Sequence, residues 1–156
     1  MESTIIREFQ PEDVEQIIEL GSMMHKEGAY SFLPFSKEKL RKLGKTLQVW
    51  DYGNCWVAVT KDNKIIGLYV AIIIEYWFCY EKICQDYALY IHPDYRKKNS
   101  TIAIRLIRKA EAWARERGAK EFCPASSMAM SSGRLEKLYN FMKFETVGHI
   151  FKKRLD

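Results

Sequence analysis

The sequence lacks the marks of several large protein classes. Its four cysteines, Cys55, Cys79, Cys84 and Cys123, form no C-x-x-C pair and stand at no zinc-type spacing to histidine. Neither a disulfide framework nor a metal centre is therefore expected, and each thiol reads as a small buried hydrophobe. The phosphate-binding patterns G-x-G-x-x-G and G-x-x-x-x-G-K-[ST] are both absent, which disfavours the common nucleotide-binding folds. The longest apolar run, Ile65 to Ile74, is too short to span a bilayer, and "MESTIIREFQPEDVEQ" has neither a basic n-region nor an apolar h-region. No internal repeat, linker or low-complexity segment is visible. The expectation is a soluble, unprocessed, cytoplasmic protein with reduced thiols and no membrane partner.

What is present is an ordinary globular composition. Hydrophobic residues make up 47% and charged residues 29% of 156 residues, enough to bury one core in a single domain over residues 1–156. The net charge of +5 suits an anionic ligand, a nucleic acid or simple solubility, and alone does not choose among them.

Periodicity sets out the elements. Thr4 to Phe9 reads as a short strand, followed by a helix over "PEDVEQIIELGSMMHKEG" with Pro11 and acids in its first turn. Val14, Ile17, Ile18 and Met24 form its apolar stripe. A second helix follows "SFLPF", with Ser36 as N-cap and Leu40, Leu43 and Leu47 inward. "CWVAVT" and "IIGLYVAIII" flank "KDNK" as an antiparallel hairpin, and "ICQDYALYI" makes a further strand. The helix from about Thr101 to Arg117 places Ile102, Leu106, Ala110, Trp113 and Ala114 on one face and stops at Gly118. A strand before it and "EFCPASS" after it make a β-loop-α-β unit with locally parallel strands. A last helix, roughly Ser132 to Met142, leads into "FETVGHIFKKRL", read as a terminal hairpin around Gly148.

The stretch "YIHPDYRKKNSTIAIRLIRKAEAWARERGA" raises the functional question. A strand gives way to the basic residues Arg96, Lys97 and Lys98, then to Asn99, Ser100 and Thr101, and a long helix begins at once. A helix N-terminus presents unpaired N–H groups and positive dipole, so an anion such as a pyrophosphate can sit there. A solvated basic turn before a capped helix is the plainer alternative.

The strand end "LYIHPDYR", the basic loop, "AIRLIRKAEAWARERGA" and the later "LYNFMKFETVG" together resemble the GNAT superfamily of acetyl-coenzyme A dependent N-acetyltransferases. The resemblance covers essentially the whole chain in order, and is nearest to small members found in bacteriophage genomes. It implies an α/β domain with a mixed, mainly antiparallel sheet, about four flanking helices and two splayed central parallel strands. The family's loop Q/R-x-x-G-x-G/A, which takes the coenzyme A pyrophosphate on its amides, aligns with Lys98, Asn99, Ser100, Thr101, Ile102 and Ala103. Thr101 replaces the first glycine, and two extra residues follow Arg96, which would add charge nearby. The resemblance further implies that the main chain of Leu89, Tyr90 and Ile91 binds the pantetheine arm.

"RLEKLYNFMKFETVG" resembles the family's A-x-x-L-Y-x-x-x-G-F stretch, with Tyr139 and Phe144 matching and Lys143 in place of the usual Gly. Tyr139 is thereby the candidate general acid that reprotonates the thiolate. A base is also needed, because an ammonium acceptor must lose a proton. Asp86 is the candidate: strand alternation places Cys84, Asp86, Ala88 and Tyr90 on one face. Glu75, at the end of the preceding strand, is the runner-up.

"MMHKEGAYSFLPF" lies where the family builds part of its acceptor site, making His25, Glu27 and Tyr30 candidate substrate contacts. The implied activity is direct transfer of an acetyl group from acetyl-CoA to a primary amine of a small molecule or protein, by a monomer or homodimer and without a metal. The alternative is a catalytically degenerate module that binds coenzyme A or a nucleic acid. For the latter, Tyr76, Trp77, Phe78 and Tyr80 would stack bases beside the basic loop.

Overall fold

A computed structural model of the chain describes residues 4–96, 101–125, 132–148 and 151–155. In chain order the elements are β1 (Ile5–Glu8), α1 (Val14–Glu27), α2 (Lys37–Val49), β2 (Gly53–Val59), β3 (Ile65–Glu75), β4 (Lys82–Ile91), α3 (Pro93–Arg96), α4 (Thr101–Glu116), β5 (Ala119–Cys123) and α5 (Ser132–Phe141). The sheet runs in the order β1-β2-β3-β4-β5, antiparallel except for the parallel pair β4–β5. This is the expected mainly antiparallel α/β domain, with the parallel pair at one end of the described sheet.

Local chemistry accounts for most boundaries. A single 3-10 turn, Pro11–Asp13, leads into α1. Its buried Asp13 accepts two hydrogen bonds from Arg7, at 2.6 and 2.9 Å, tying β1 to the helix start. Ser36 caps α2 by accepting from the Lys39 amide at 3.2 Å, as its type and position predict. Gly118, at φ 78°, ends α4 in the left-handed region that favours glycine. Lys143, where the resemblance expects Gly, takes φ 70° after α5. The Phe144 amide then reaches back to the Tyr139 carbonyl at 3.0 Å.

Helices cover both faces of the sheet. On one face α4 buries Ile102, Leu106, Ile107, Ala110, Trp113 and Ala114 against β2, β3 and β4, with Tyr139 of α5 joining the cluster. On the other, α1 and α2 cover Cys55, Val57, Leu68, Val70 and Tyr90.

Three readings from sequence are corrected. One-turn α3 stands where the strand was expected to pass directly into a loop, with Pro93 at its first position. The terminal hairpin is not seen among the described residues: Phe144–Gly148 and 151–155 carry no strand, and His149 and Ile150, in its expected turn, lie outside the described residues. Val147, Phe151 and Leu155 are each at least 88% exposed, so alternation there finds no face to bury and pairing has no hydrophobic drive. Finally, Cys84, Asp86, Ala88 and Tyr90 do not share a face. Val70 pairs with Ala88 and Ala71 with Asp86, leaving Tyr87 as an extra residue. That bulge inverts the alternation: Cys84 faces α4, while Ala88 and Tyr90 face α1 and α2.

Candidate active site

The parallel pair opens where the chemistry is expected. Among the described residues β5 pairs with β4 only from Lys82 to Gln85, and beyond that β4 runs on to Ile91 paired with β3 alone. The His92 amide donates to the Ile66 carbonyl of β3 at 2.8 Å. By the alternation of an antiparallel ladder, the Tyr90 peptide groups then face β3 while those of Leu89 and Ile91 face the gap. The Ile91 carbonyl is taken by Arg96 Nε at 2.8 Å. The Leu89 groups and the Ile91 N–H are what the gap offers to a ligand running along β4.

Asp86 sits at the start of this gap, beside the bulge. Its Oδ1 accepts from the Ala125 amide at 2.8 Å, bridging β4 to the segment after β5. Burial lifts its carboxyl to about 6, with that amide and its own pulling the other way. The group is thus ionised at neutral pH and close to its protonation point, as a general base needs. Its charge reaches two phenols. Burial first, and Asp86 second, raise both Tyr69 and Tyr139 well above the ordinary tyrosine value. Both hydroxyls are buried with no partner among the described residues. A buried, partnerless phenol is costly unless something meets it. Asp86 and Tyr139 are therefore brought together around the gap, one from the sheet and one from α5.

Tyr69 is a member of this group that the sequence reading missed. The signal was available: its hydroxyl is the lone polar side-chain group in the apolar run of β3. Glu75 is not part of the site. It is exposed at the far end of β3, opposite Lys82.

The loop residues divide. Lys98, Asn99 and Ser100 lie outside the described residues. Thr101 begins α4 and is exposed, Ala103 is half-buried, and the Ile102 side chain is core at 1% exposure, leaving Ile102 only its main chain for a ligand. Arg96 is engaged by Glu27, whose Oε2 accepts from Nη2 at 2.7 Å, while Glu27 Oε1 accepts from the Tyr90 hydroxyl at 2.7 Å. The Arg96 guanidinium also lies 4.9 Å from the Tyr90 ring centre. Burial would raise the Glu27 carboxyl, but these two hydrogen bonds and the Arg96 charge hold it below its ordinary value. Glu27 thus anchors the end of β4 to α1.

His25 and Tyr30 do share a cavity with Asp86. About 430 Å³ in volume, it lies between α1, α2 and the sheet and reaches Ala125 and Leu135 through the gap. The His25 ring packs on Phe35 at 5.3 Å, and its Nε2 is buried without a partner among the described residues. Lys152 of the C-terminal segment stands 4.5 Å over the Tyr30 ring.

Other chemistries have less support. Burial pushes the Cys55 and Cys84 thiols up to about 12, away from nucleophilic thiolate. Among the described residues no three His, Cys, Asp or Glu side chains come together to hold a metal, and no helix is long and apolar enough to cross a membrane. The exposed rings of Trp77, Phe78 and Tyr80 precede β4, whereas Arg96 follows it. Ten strand residues, roughly 30 Å, separate the aromatic tip from the basic turn, so the two do not form one base-stacking platform.

Comparison with known proteins agrees with this architecture. Glucosamine-6-phosphate N-acetyltransferase from Arabidopsis thaliana is similar with a TM-score of 0.79 at 13% identity, covering 99% of this chain and 100% of that one. Aminoglycoside N-acetyltransferase AAC(6')-Iy, solved with coenzyme A, gives 0.77 at 16% identity over 99% and 95% of the two chains. An acetyltransferase from Trypanosoma brucei gives 0.74 at 17% identity over 99% of each. No curated protein matches the sequence. Residues 22–131, well over half of the chain, match the acetyltransferase (GNAT) family, and with the splayed parallel pair and its flanking Asp86 and Tyr139 on view, the chain belongs to that family.

Proposed function

We propose that the protein transfers an acetyl group from acetyl-CoA directly to a primary amine, with Asp86 as general base and Tyr139 as general acid. The observation that carries this reading is the gap itself: a carboxylate poised near 6 and a buried phenol flank peptide groups of β4, the phenol and those groups lacking partners among the described residues. When bound, acetyl-CoA supplies the activated thioester. Leu89 and the Ile91 N–H hold the pantetheine arm. The α4 N-terminus, with Thr101, Ala103 and the preceding Lys98 to Ser100, takes the pyrophosphate on its amides.

Asp86 accepts the proton that an ammonium acceptor must lose, directly or through one water, so that the amine nitrogen bonds to the acetyl carbon. Tyr139 donates its phenolic proton to the sulfur as the carbon–sulfur bond breaks, and the proton that the nitrogen sheds on becoming an amide restores the phenol. The raised phenol is protonated at all working pH values, which suits a donor and not a base.

The test is binding and turnover measured together. Calorimetry should show acetyl-CoA binding to the wild-type protein and to Tyr139→Phe with affinities within about twofold. Thiol release with an accepted amine should show kcat lowered roughly 10-fold to 10³-fold in the variant. An unchanged kcat where chemistry is rate-limiting would make Tyr139 a packing residue only, and absent acetyl-CoA binding would remove the reading altogether.

A further inference from the structure

The cavity between the helices and the sheet carries information about the acceptor that neither family nor fold supplies. Its walls are aliphatic and aromatic, drawn from α1, α2, β3 and β4, with Ile17, Met24, Phe35, Leu43, Val70 and Ala88 typical. Among the described lining residues Asp86 is the one carboxylate, and none is a lysine or arginine. The other charge-capable lining groups are His25, whose buried Nε2 has no partner among the described residues, the phenols of Tyr30 and Tyr87, and the Cys55 thiol, which burial keeps neutral.

We infer that the acceptor is a primary amine carried on an apolar body, a monoamine of the arylalkyl or alkyl class, and not a polycation or a sugar phosphate. This rests on the acetyl-transfer reading and deepens it by naming the substrate class. One carboxylate can pair with one ammonium. A second ammonium in these walls would lose its hydration with nothing opposite it, and the cost of an unpaired buried charge is prohibitive. A phosphate would likewise find no cationic side chain among the described lining residues; Lys152, 4.5 Å over the Tyr30 ring, is not one of them. An apolar body instead covers the aliphatic walls and gains from leaving water. The volume of about 430 Å³ falls within the usual range of about 300–1,000 Å³ for small-molecule sites. The Asp86 end sits at the gap, so an apolar body filling the space beneath α1 and α2 points its amine toward the bond to be formed. His25 Nε2 offers one hydrogen bond to a single polar atom on that body.

The experiment compares 2-phenylethylamine, spermidine and glucosamine 6-phosphate, by calorimetry on the protein saturated with coenzyme A and by turnover with acetyl-CoA. 2-Phenylethylamine should bind at least tenfold tighter than either polar amine and give the highest kcat/KM. Ala88→Phe, which fills the sheet side of the cavity, should weaken its binding at least tenfold and leave coenzyme A affinity unchanged. Gly44→Leu enters from α2, where an added Cβ has only Val14 Cγ2 nearby, at 3.6 Å, and should act likewise if Ala88→Phe does not fold. Equal or tighter binding of a polar amine, no amine binding, or amine affinity untouched by either folded variant would overturn the inference. Selective 2-phenylethylamine binding without acetylation of any amine would leave the apolar cavity standing and sink the acetyl-transfer reading instead.

Discussion

The two faces of the sheet are built from similar residues to different ends. Against α4 the packing is dense: Leu106, Ile107 and Ala110 are fully buried, and Trp56 meets Trp113 edge to face at 5.5 Å. Against α1 and α2 the same sheet leaves about 430 Å³ open, although Ile18, Leu20 and Leu47 are buried there too. Burial of residues therefore does not imply a filled core. The filled face holds the α4 N-terminus and the β4–β5 gap in fixed relation, while the hollow face leaves room for something to enter. Asp86 belongs to both: it lines the cavity, and its charge acts on Tyr69 and Tyr139 of the filled side.

The largest effect should come from breaking that junction. Asp86→Asn keeps an oxygen for the Ala125 amide, so the fold should survive while kcat falls roughly 10²-fold to 10⁴-fold. In the wild type, kcat/KM should drop as pH falls below about 6, where Asp86 takes up its proton, and that limb should be missing from the variant. Stability has the opposite sign. The folded carboxyl binds its proton more tightly than the unfolded one, whose ordinary value is 3.8. Wild-type stability should thus gain a contribution as pH falls from about 6 toward that value. Urea denaturation of the two proteins across this window should show the gain only in the wild type. A variant retaining both the acid limb and the gain would mean another group titrates.

A paired truncation addresses the faces themselves. Leu106→Ala should cost about 2–5 kcal/mol, because a new hole opens in close packing. Leu43→Ala, which enlarges a space that already exists, should cost roughly half as much, since fewer contacts are lost. Equal losses in urea midpoints at unchanged m-value would show that the hollow face is collapsed in solution.

The smallest effect sharpens the picture of the filled face. α4 ends in a left-handed glycine and α5 in a left-handed lysine. Lys143 is exposed, so Lys143→Gly should remove strain with little lost packing and raise stability by about 0.5–1 kcal/mol, the left-handed penalty less the added chain entropy. A loss of stability on thermal unfolding would show that the lysine stem packs usefully.

Much of this could be read in advance, for definite reasons. The stripe Ile102, Leu106, Ala110, Trp113 and Ala114 is buried as its 3.6-residue spacing predicts, and Ser36 and Gly118 end helices by local hydrogen bonding and φ preference. Tyr139 was proposed from the match of its segment and Asp86 from strand alternation, and the bulge at Tyr87 breaks that alternation even though Asp86 still lines the cavity. Glu27 was legible as polar but not as the partner of Arg96, which lies 69 residues away. The tail "FETVGHIFKKRL" alternates like a strand, yet alternation records only which residues could share a face.

Sequence alone determined most of the elements and their order, because period, caps and turn residues act within a few residues of themselves. Tertiary structure decided the rest. The extra residue at Tyr87 is visible only against the register of β3, and it turns Ala88 and Tyr90 away from Cys84 and leaves Asp86 at the crossover. The cavity is likewise a property of how far α1 and α2 stand from the sheet. No residue encodes an empty volume, because that volume is set by distances between segments that meet only when the chain has folded.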